Sequence, residues 1–394
     1  MKKFRISAYI LFIISLFIKY ISSKYSYLVE NYYSKKLDIY IVKFLSKINS
    51  TFDFSYFEIL IYIFVLSILI SIIYLAIKLF KDKKSFFNSL KNILLNYLAF
   101  ICLMYFLFIV LWGINYNRVG LEESIKTEYK SSVNKKDISN IAFDKNDLEE
   151  LYGYLIEKCN ESKKIVNNSN NELNQDIKSI KNMISTLQSA YDNVELLNLN
   201  KQGNYSKAKI ILNSNLLSYT SITGIYSPFT GEANINININ QPLTSMPFTI
   251  LHEMAHQRGY ANESEANFLA YIACINNEEP YVNYSGYFMA LKYTASALSK
   301  VDYDKFKSMT EKIDKDVRYD LISYSSFWEK YEGKVNKVSE NMNNVYLKSN
   351  RVKEGTQSYG KVVDLLLLYY YLYWNNYIFI KFWVLEINKI YFSI

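Results

Sequence analysis

The sequence predicts a membrane protein with N-terminal α-helical spans and a mainly α (α+β) domain outside the cytoplasm, in which a small sheet lies beside one functional helix. Three observations predict this. Ile59 to Ile77 and Ile93 to Ile114 run 19 and 22 residues without a charged side chain, and about 20 helical residues cross a hydrocarbon core about 30 Å thick. From about Asn115 to Gly360 the composition becomes that of a water-soluble domain. Within it, the only two histidines of the 394 residues stand four apart, at His252 and His256.

Composition removes several classes. With 50% hydrophobic and 21% charged residues, the chain has too much apolar surface to remain disordered. Its three cysteines are too few for a disulfide scaffold or a four-thiolate zinc module. The 45 Lys+Arg are spread among 37 Asp+Glu, so no basic stripe points to nucleic acid.

Three spans are expected, at about 6–22, 57–78 and 93–114, making residues 1–114 a membrane domain. The first apolar run follows Lys2, Lys3 and Arg5 and lacks a small-x-small cleavage site, so it reads as an uncleaved span whose Lys19 snorkels to the interface. Lys78, Lys81, Lys83, Lys84 and Lys91, opposed only by Asp82, read as a short basic loop. By the positive-inside rule that loop and the N-terminus lie in the cytoplasm. Everything after Ile114 then lies outside it, so the expected location is the cell membrane, multi-pass, with the bilayer as partner. Residues 361–394 form an apolar, aromatic C-terminal segment, read as a buried or interfacial helix or as a fourth span.

Residues 115–360 form the soluble domain. Apolar residues at helical spacing (Leu148, Leu151, Leu155; Ile177, Ile180, Ile184, Leu187) predict two exposed helices between Asp147 and Leu197. Asn234 to Asn240 alternates strictly, the period of a half-buried strand. Phe248 to Arg258 reads as a helix stopped by Gly259, and Ala261 or Asn262 opens a second helix reaching about Asn276. Ser285 to Lys300 and Tyr319 to Tyr346 are further helical stretches. Cys159 and Cys274 form one disulfide or stay buried thiols, and the apolar surroundings of Cys274 favour burial.

The chemistry concentrates in Leu251-His252-Glu253-Met254-Ala255-His256, an H-E-x-x-H motif. Spacing of four puts both imidazoles on one helical face, so two nitrogens meet one metal ion while Glu253 reaches its water. A catalytic zinc needs a third protein ligand. Glu263 is expected to supply it from the start of the next helix, with Glu265 in reserve. Asn267, one turn after Glu263, is placed to hold the second nitrogen of a ligand histidine. These ligand types also fit other divalent ions.

The motif resembles that of the zincin metallopeptidases, in particular the gluzincin-like branch, where a helix bearing E-x-x-A-(D/N) follows; here that is Glu263-Ser-Glu-Ala266-Asn267. The pattern is similar to that of membrane-embedded zinc proteases related to the CAAX-prenyl endopeptidases, which carry Asp where this chain has Asn267. A closer resemblance is to an uncharacterised bacterial family, a domain of unknown function with N-terminal spans and an external zincin-like domain. It rests on residues 224–234, 247–259, 263–271 and 358–366, and runs from the first span to about Tyr370.

The resemblance implies a zincin-like fold, and motif and resemblance together predict a membrane-anchored zinc metallopeptidase with one Zn2+ per chain. Zinc held by His252, His256 and Glu263 activates water, and Glu253 takes its proton as general base. Tyr359 is a candidate oxyanion donor, with a packing tyrosine as the alternative. The strand carrying Asn234, Asn236 and Asn238 is expected to bind an extended peptide by strand addition, and Arg258 is expected to pair with an acid. The substrate class is peptide or protein, cell-wall peptide included. The alternative is a non-catalytic zinc-binding receptor, sensor or scaffold of the same fold.

Overall fold

The computed structural model describes residues 1–133, 141–169, 176–203, 205–238, 240–350 and 361–375. Three helices, Lys2–Ser22, Tyr56–Lys81 and Lys83–Leu111, are long and apolar enough to cross a membrane. None of the second helix's apolar window is buried, so its side chains face outward, as a lipid-facing surface requires. The first and third helices pack together through Phe12 and Tyr105, whose rings lie 5.3 Å apart, and through Arg5 Nε, which donates to Asn96 Oδ1 at 2.9 Å.

The expected basic loop is not a loop. Helix continues on both sides of Asp82, which ends one helix and caps the next by accepting from the Ser85 N–H at 3.2 Å. Lysine is a good helix former, and Lys78 and Lys81 in the last turn suit the negative end of the helix dipole. The basic residues therefore join the helix ends.

The segment between the first two apolar helices is helical from Ser26 to Asn49, as Ser26–Leu28, π-helical Val29–Leu37 and Asp38–Asn49. It packs onto the soluble domain. Glu30 accepts from Arg118 Nε at 2.8 Å and Nη2 at 2.9 Å. Ser55 Oγ donates to Asn234 Oδ1 at 2.6 Å. The Glu232 carboxylate accepts the Tyr56 and Phe57 N–H groups at 3.0 and 2.9 Å, an anion at the positive end of the second apolar helix.

At the centre of the soluble domain lies the helix Met246–Gln257, buried on nearly every side. One side meets a three-stranded sheet of β1 (Lys209–Ile210), β2 (Gly224–Ser227) and β3 (Glu232–Ile235), in the order β1-β3-β2. β1 runs parallel to β3 and β2 antiparallel to it. The other side meets Glu263–Ile275 and Pro280–Val301.

Three expectations change. The helices Lys145–Asn168 and Ile177–Leu187 are not simply exposed: Leu148, Leu151, Leu155, Ile180, Ile184 and Leu187 all enter the main core. The expected strand Asn234 to Asn240 is strand only as far as Ile235, at the sheet centre. Its asparagines point inward and bond within the fold. Asn234 Nδ2 donates to the Ile225 carbonyl at 3.2 Å, Asn236 Nδ2 to the Ile222 carbonyl at 2.9 Å, and Asn238 Nδ2 to Tyr331 Oη at 2.6 Å. Asn234, Asn236 and Asn238 are therefore structural and do not form a peptide-binding edge, because β3 already has neighbours on both sides.

Lastly, Lys361–Tyr369 buries Val362, Val363 and Leu365 to Leu368 in the main core, and Tyr369 meets Phe268 with ring centres 5.8 Å apart. Of the readings of the C-terminal segment, the buried helix holds for this part, not the interfacial helix or the fourth span; 376–394 lie outside the described residues. Cys159 and Cys274 are buried free thiols.

Candidate metal centre

Local geometry brings the two halves of the cluster together. Gly259 has φ +79°, a left-handed conformation that glycine adopts without a steric cost. It turns the chain at the end of Met246–Gln257. Asn262 then caps Glu263–Ile275 by accepting from the Ser264 N–H at 3.0 Å. Glu263 thus returns to the histidines. Its Oε2 lies 3.1 Å from His252 Nε2 and its Oε1 lies 3.8 Å from His256 Nε2. One ligand atom from each of the three residues lies within 4.8 Å of the others. Tetrahedral zinc with bonds near 2.0–2.1 Å spaces its ligands at about 3.3 Å, so the donors fit one ion after a small contraction.

The second nitrogen of one ligand is already fixed. His256 Nδ1 lies 2.6 Å from the Tyr260 carbonyl, which accepts its proton and leaves Nε2 to face Glu263. The loop carrying that carbonyl is held in turn. Arg118 Nη1 donates to the Gly259 carbonyl at 2.9 Å, and its guanidinium stacks 4.0 Å from the centre of the Tyr260 ring. A Cβ on Gly259 would lie 2.7 Å from Asp38 Oδ2.

Asn267 does not contact a histidine nitrogen. Its Oδ1 accepts from Tyr293 Oη at 3.1 Å, while its Nδ2 and His252 Nδ1 have no partner among the described residues. Arg258 forms no ion pair among the described residues either. It is wholly buried, with its guanidinium 4.1 Å from the Tyr191 ring and 4.9 Å from the Tyr205 ring, and Nη1 donates to the Met254 carbonyl. Aromatic faces take the place of the expected acid.

Burial pushes the Glu263 carboxyl up, but hydrogen bonds from His252 and His256 outweigh it and hold Glu263 well below the usual carboxylate range. Burial lowers His256, and its bond to Glu263 and that carboxylate's charge raise it further, to about 9. A proton held between these groups is what a metal ion would displace. Glu253 is buried beside β2: a Cβ on Gly224 would come within 2.6 Å of its Cγ and Oε1. Burial raises its carboxyl, against the lowering effect of both histidines and a hydrogen bond from the Tyr226 backbone.

Glu265 turns away from the cluster. Its Oε1 accepts from the Leu121 N–H at 2.8 Å, at the start of the helix Leu121–Val133, so Glu263 is the acid that meets the histidines. Tyr359 lies outside the described residues. Aromatic residues that the motif did not reveal surround the cluster instead. Trp112, directly after the third apolar helix, stands edge-on to His256 at 5.8 Å. Tyr116 Oη donates to Tyr346 Oη at 3.0 Å, and both hydroxyls feel the Glu263 charge. Trp112 and Tyr116 could have been sought as interfacial aromatics flanking a span; among 38 tyrosines, nothing marked Tyr346.

Fold and cluster define a class: a largely helical chain with three apolar helices of membrane-crossing length and a domain that gathers two histidines and a glutamate. A family model described as "Protein of unknown function (DUF3810)" matches residues 33–367, and the chain belongs to that family. No curated protein and no solved structure matches the chain.

Proposed function

We propose that this protein is a membrane-anchored zinc metallopeptidase of zincin-like fold, multi-pass, with its metal centre outside the cytoplasm. The observation that carries the reading is the convergence of His252, His256 and Glu263 within 4.8 Å, with the buried Glu253 carboxylate on the same helix. A structural zinc site would not require Glu253.

Zinc held there supplies Lewis-acid polarisation and lowers the pKa of water toward about 7. Glu253 takes the proton from the attacking water and passes it to the leaving amine. β2 is an outer strand of the sheet and runs past Glu253, so a peptide substrate aligns along it by strand addition, its scissile carbonyl near the cluster. The Tyr116 and Tyr346 hydroxyls, beside Glu263, are the donors available to a developing oxyanion.

The test uses the full-length protein in detergent. One zinc per chain by elemental analysis, lost in His252→Ala, establishes the site. Glu253→Gln should keep the metal and lose peptide hydrolysis. Absence of metal after zinc loading overturns the proposal, and hydrolysis unaffected by Glu253→Gln removes Glu253 from its role. Metal without any Glu253-dependent hydrolysis returns the protein to the receptor or scaffold reading.

A further inference from the structure

The helix Lys334–Ser349 carries a surface that the metal centre does not use. Its buried residues, Asn336 and Leu347, lie on one side. Val335, Val338, Met342 and Val345 are 57%, 57%, 69% and 67% exposed. At about 100° per residue these four fall within roughly 80° of one another, on the side away from Leu347. Lys334, Lys337 and Lys348 lie along one border of this stripe. In a water-soluble setting, an apolar stripe turned away from the core has no physical reason to be there.

The position of the helix shows what covers the stripe. Lys19, in the last turn of the first apolar helix, donates to the Ser349 carbonyl at 2.7 Å. Phe108, near the end of the third, meets Tyr346 with ring centres 6.1 Å apart. The C-terminal end of Lys334–Ser349 is therefore pinned where two apolar helices of membrane-crossing length end. A helix of 16 residues with one apolar face and a polar remainder is too short and too polar to span a bilayer, and suited to lie in its surface.

We propose that Lys334–Ser349 lies in the membrane surface, with Val335, Val338, Met342 and Val345 inserted in the acyl boundary of the leaflet nearest the metal centre and the flanking lysines among the lipid headgroups. The partner is lipid, and the inference does not depend on catalysis. Through Tyr346 the same helix touches Tyr116, whose ring meets Trp112, which in turn stands edge-on to His256, so a chain of aromatic contacts joins this helix to the metal cluster.

The test is made on full-length protein in vesicles of phosphatidylcholine and phosphatidylglycerol. An environment-sensitive fluorophore is attached to Met342→Cys, to Val338→Cys as a second stripe position, and to Lys337→Cys on the polar side. The native cysteines are buried, and unsubstituted protein serves as the labelling blank. The stripe probes should emit to the blue, be quenched by nitroxide lipids about 5–10 Å below the headgroups, and be quenched several-fold less by aqueous iodide than the Lys337 probe. Equal iodide quenching at all three positions overturns the proposal. So does shielding from iodide without lipid quenching, which would show a second protein surface on the stripe.

Discussion

Arg118 joins the candidate metal centre to a buried carboxylate 88 residues earlier in the chain. It forms a two-bond pair with Glu30, each side chain about 6% exposed, and supports the loop whose Tyr260 carbonyl orients His256. Arg118→Ala removes both of these bonds and leaves the buried Glu30 only its 3.2 Å contact with the half-exposed Lys35. The expected cost is about 3 kcal/mol of stability, read as thermal denaturation in detergent, and about 10–100-fold in zinc affinity as that carbonyl loses its support. Asp38 behaves differently. Burial raises its carboxyl from 3.8 to about 7, and Oδ1 has no hydrogen-bond partner among the described residues. A raised acid stabilises the fold while protonated, so its contribution is present at pH 4 and lost as the pH rises toward 7. Asp38→Asn should melt at a higher temperature than the unsubstituted protein at pH 8, with the gap shrinking toward pH 5. The full difference is on the order of 4 kcal/mol. At this scale the sequence was legible where partners are neighbours: His252, Glu253, His256 and Glu263 span twelve positions and one glycine turn. Arg118, Trp112 and Tyr346 reach the site across long separations, and such contacts leave no periodic trace.

Among the elements, β2 comes closest to the proposed chemistry. Gly224 is required there because Glu253 fills the space a side chain would take. Gly224→Ala should displace the carboxylate by roughly 1 Å and lower hydrolysis on the order of 100-fold, with zinc content and melting temperature little changed; unchanged hydrolysis would detach β2 from the site. Helical periodicity and the Gly259 stop were legible because each follows from the residues inside the element. Alternation in Asn234 to Asn240 misled because period two normally reports one wet and one dry face. Here Asn234, Asn236 and Asn238 are dry, their amides satisfied by carbonyls and hydroxyls from other segments. Hydropathy in 361–375 left the choice between core and membrane open, since an apolar helix that completes a core and one that enters lipid have the same composition.

In the whole molecule, the apolar helices and the soluble domain are joined by buried polar contacts. Glu58 accepts the Leu212 and Asn213 N–H groups at 2.8 and 3.0 Å, and Glu232 caps Tyr56–Lys81. A fragment of residues 115–360 loses Glu30, Asp38, Ser55 and Glu58 together and exposes the groups they satisfy. It should aggregate or fail to hold zinc, whereas full-length protein in detergent holds it; a monomeric, zinc-binding fragment would refute this. The Glu232 contact also orders events during synthesis. Tyr56 leaves the ribosome 176 residues before the carboxylate that caps it, which at about 5–20 residues per second is a delay of roughly 10–35 s. Through that interval the leading amides of the second apolar helix lack the carboxylate that caps them. A chain stopped before residue 232 lacks Glu232 together with His252, His256 and Glu263, so the cap of the second apolar helix and the candidate metal cluster are completed within the same stretch of synthesis.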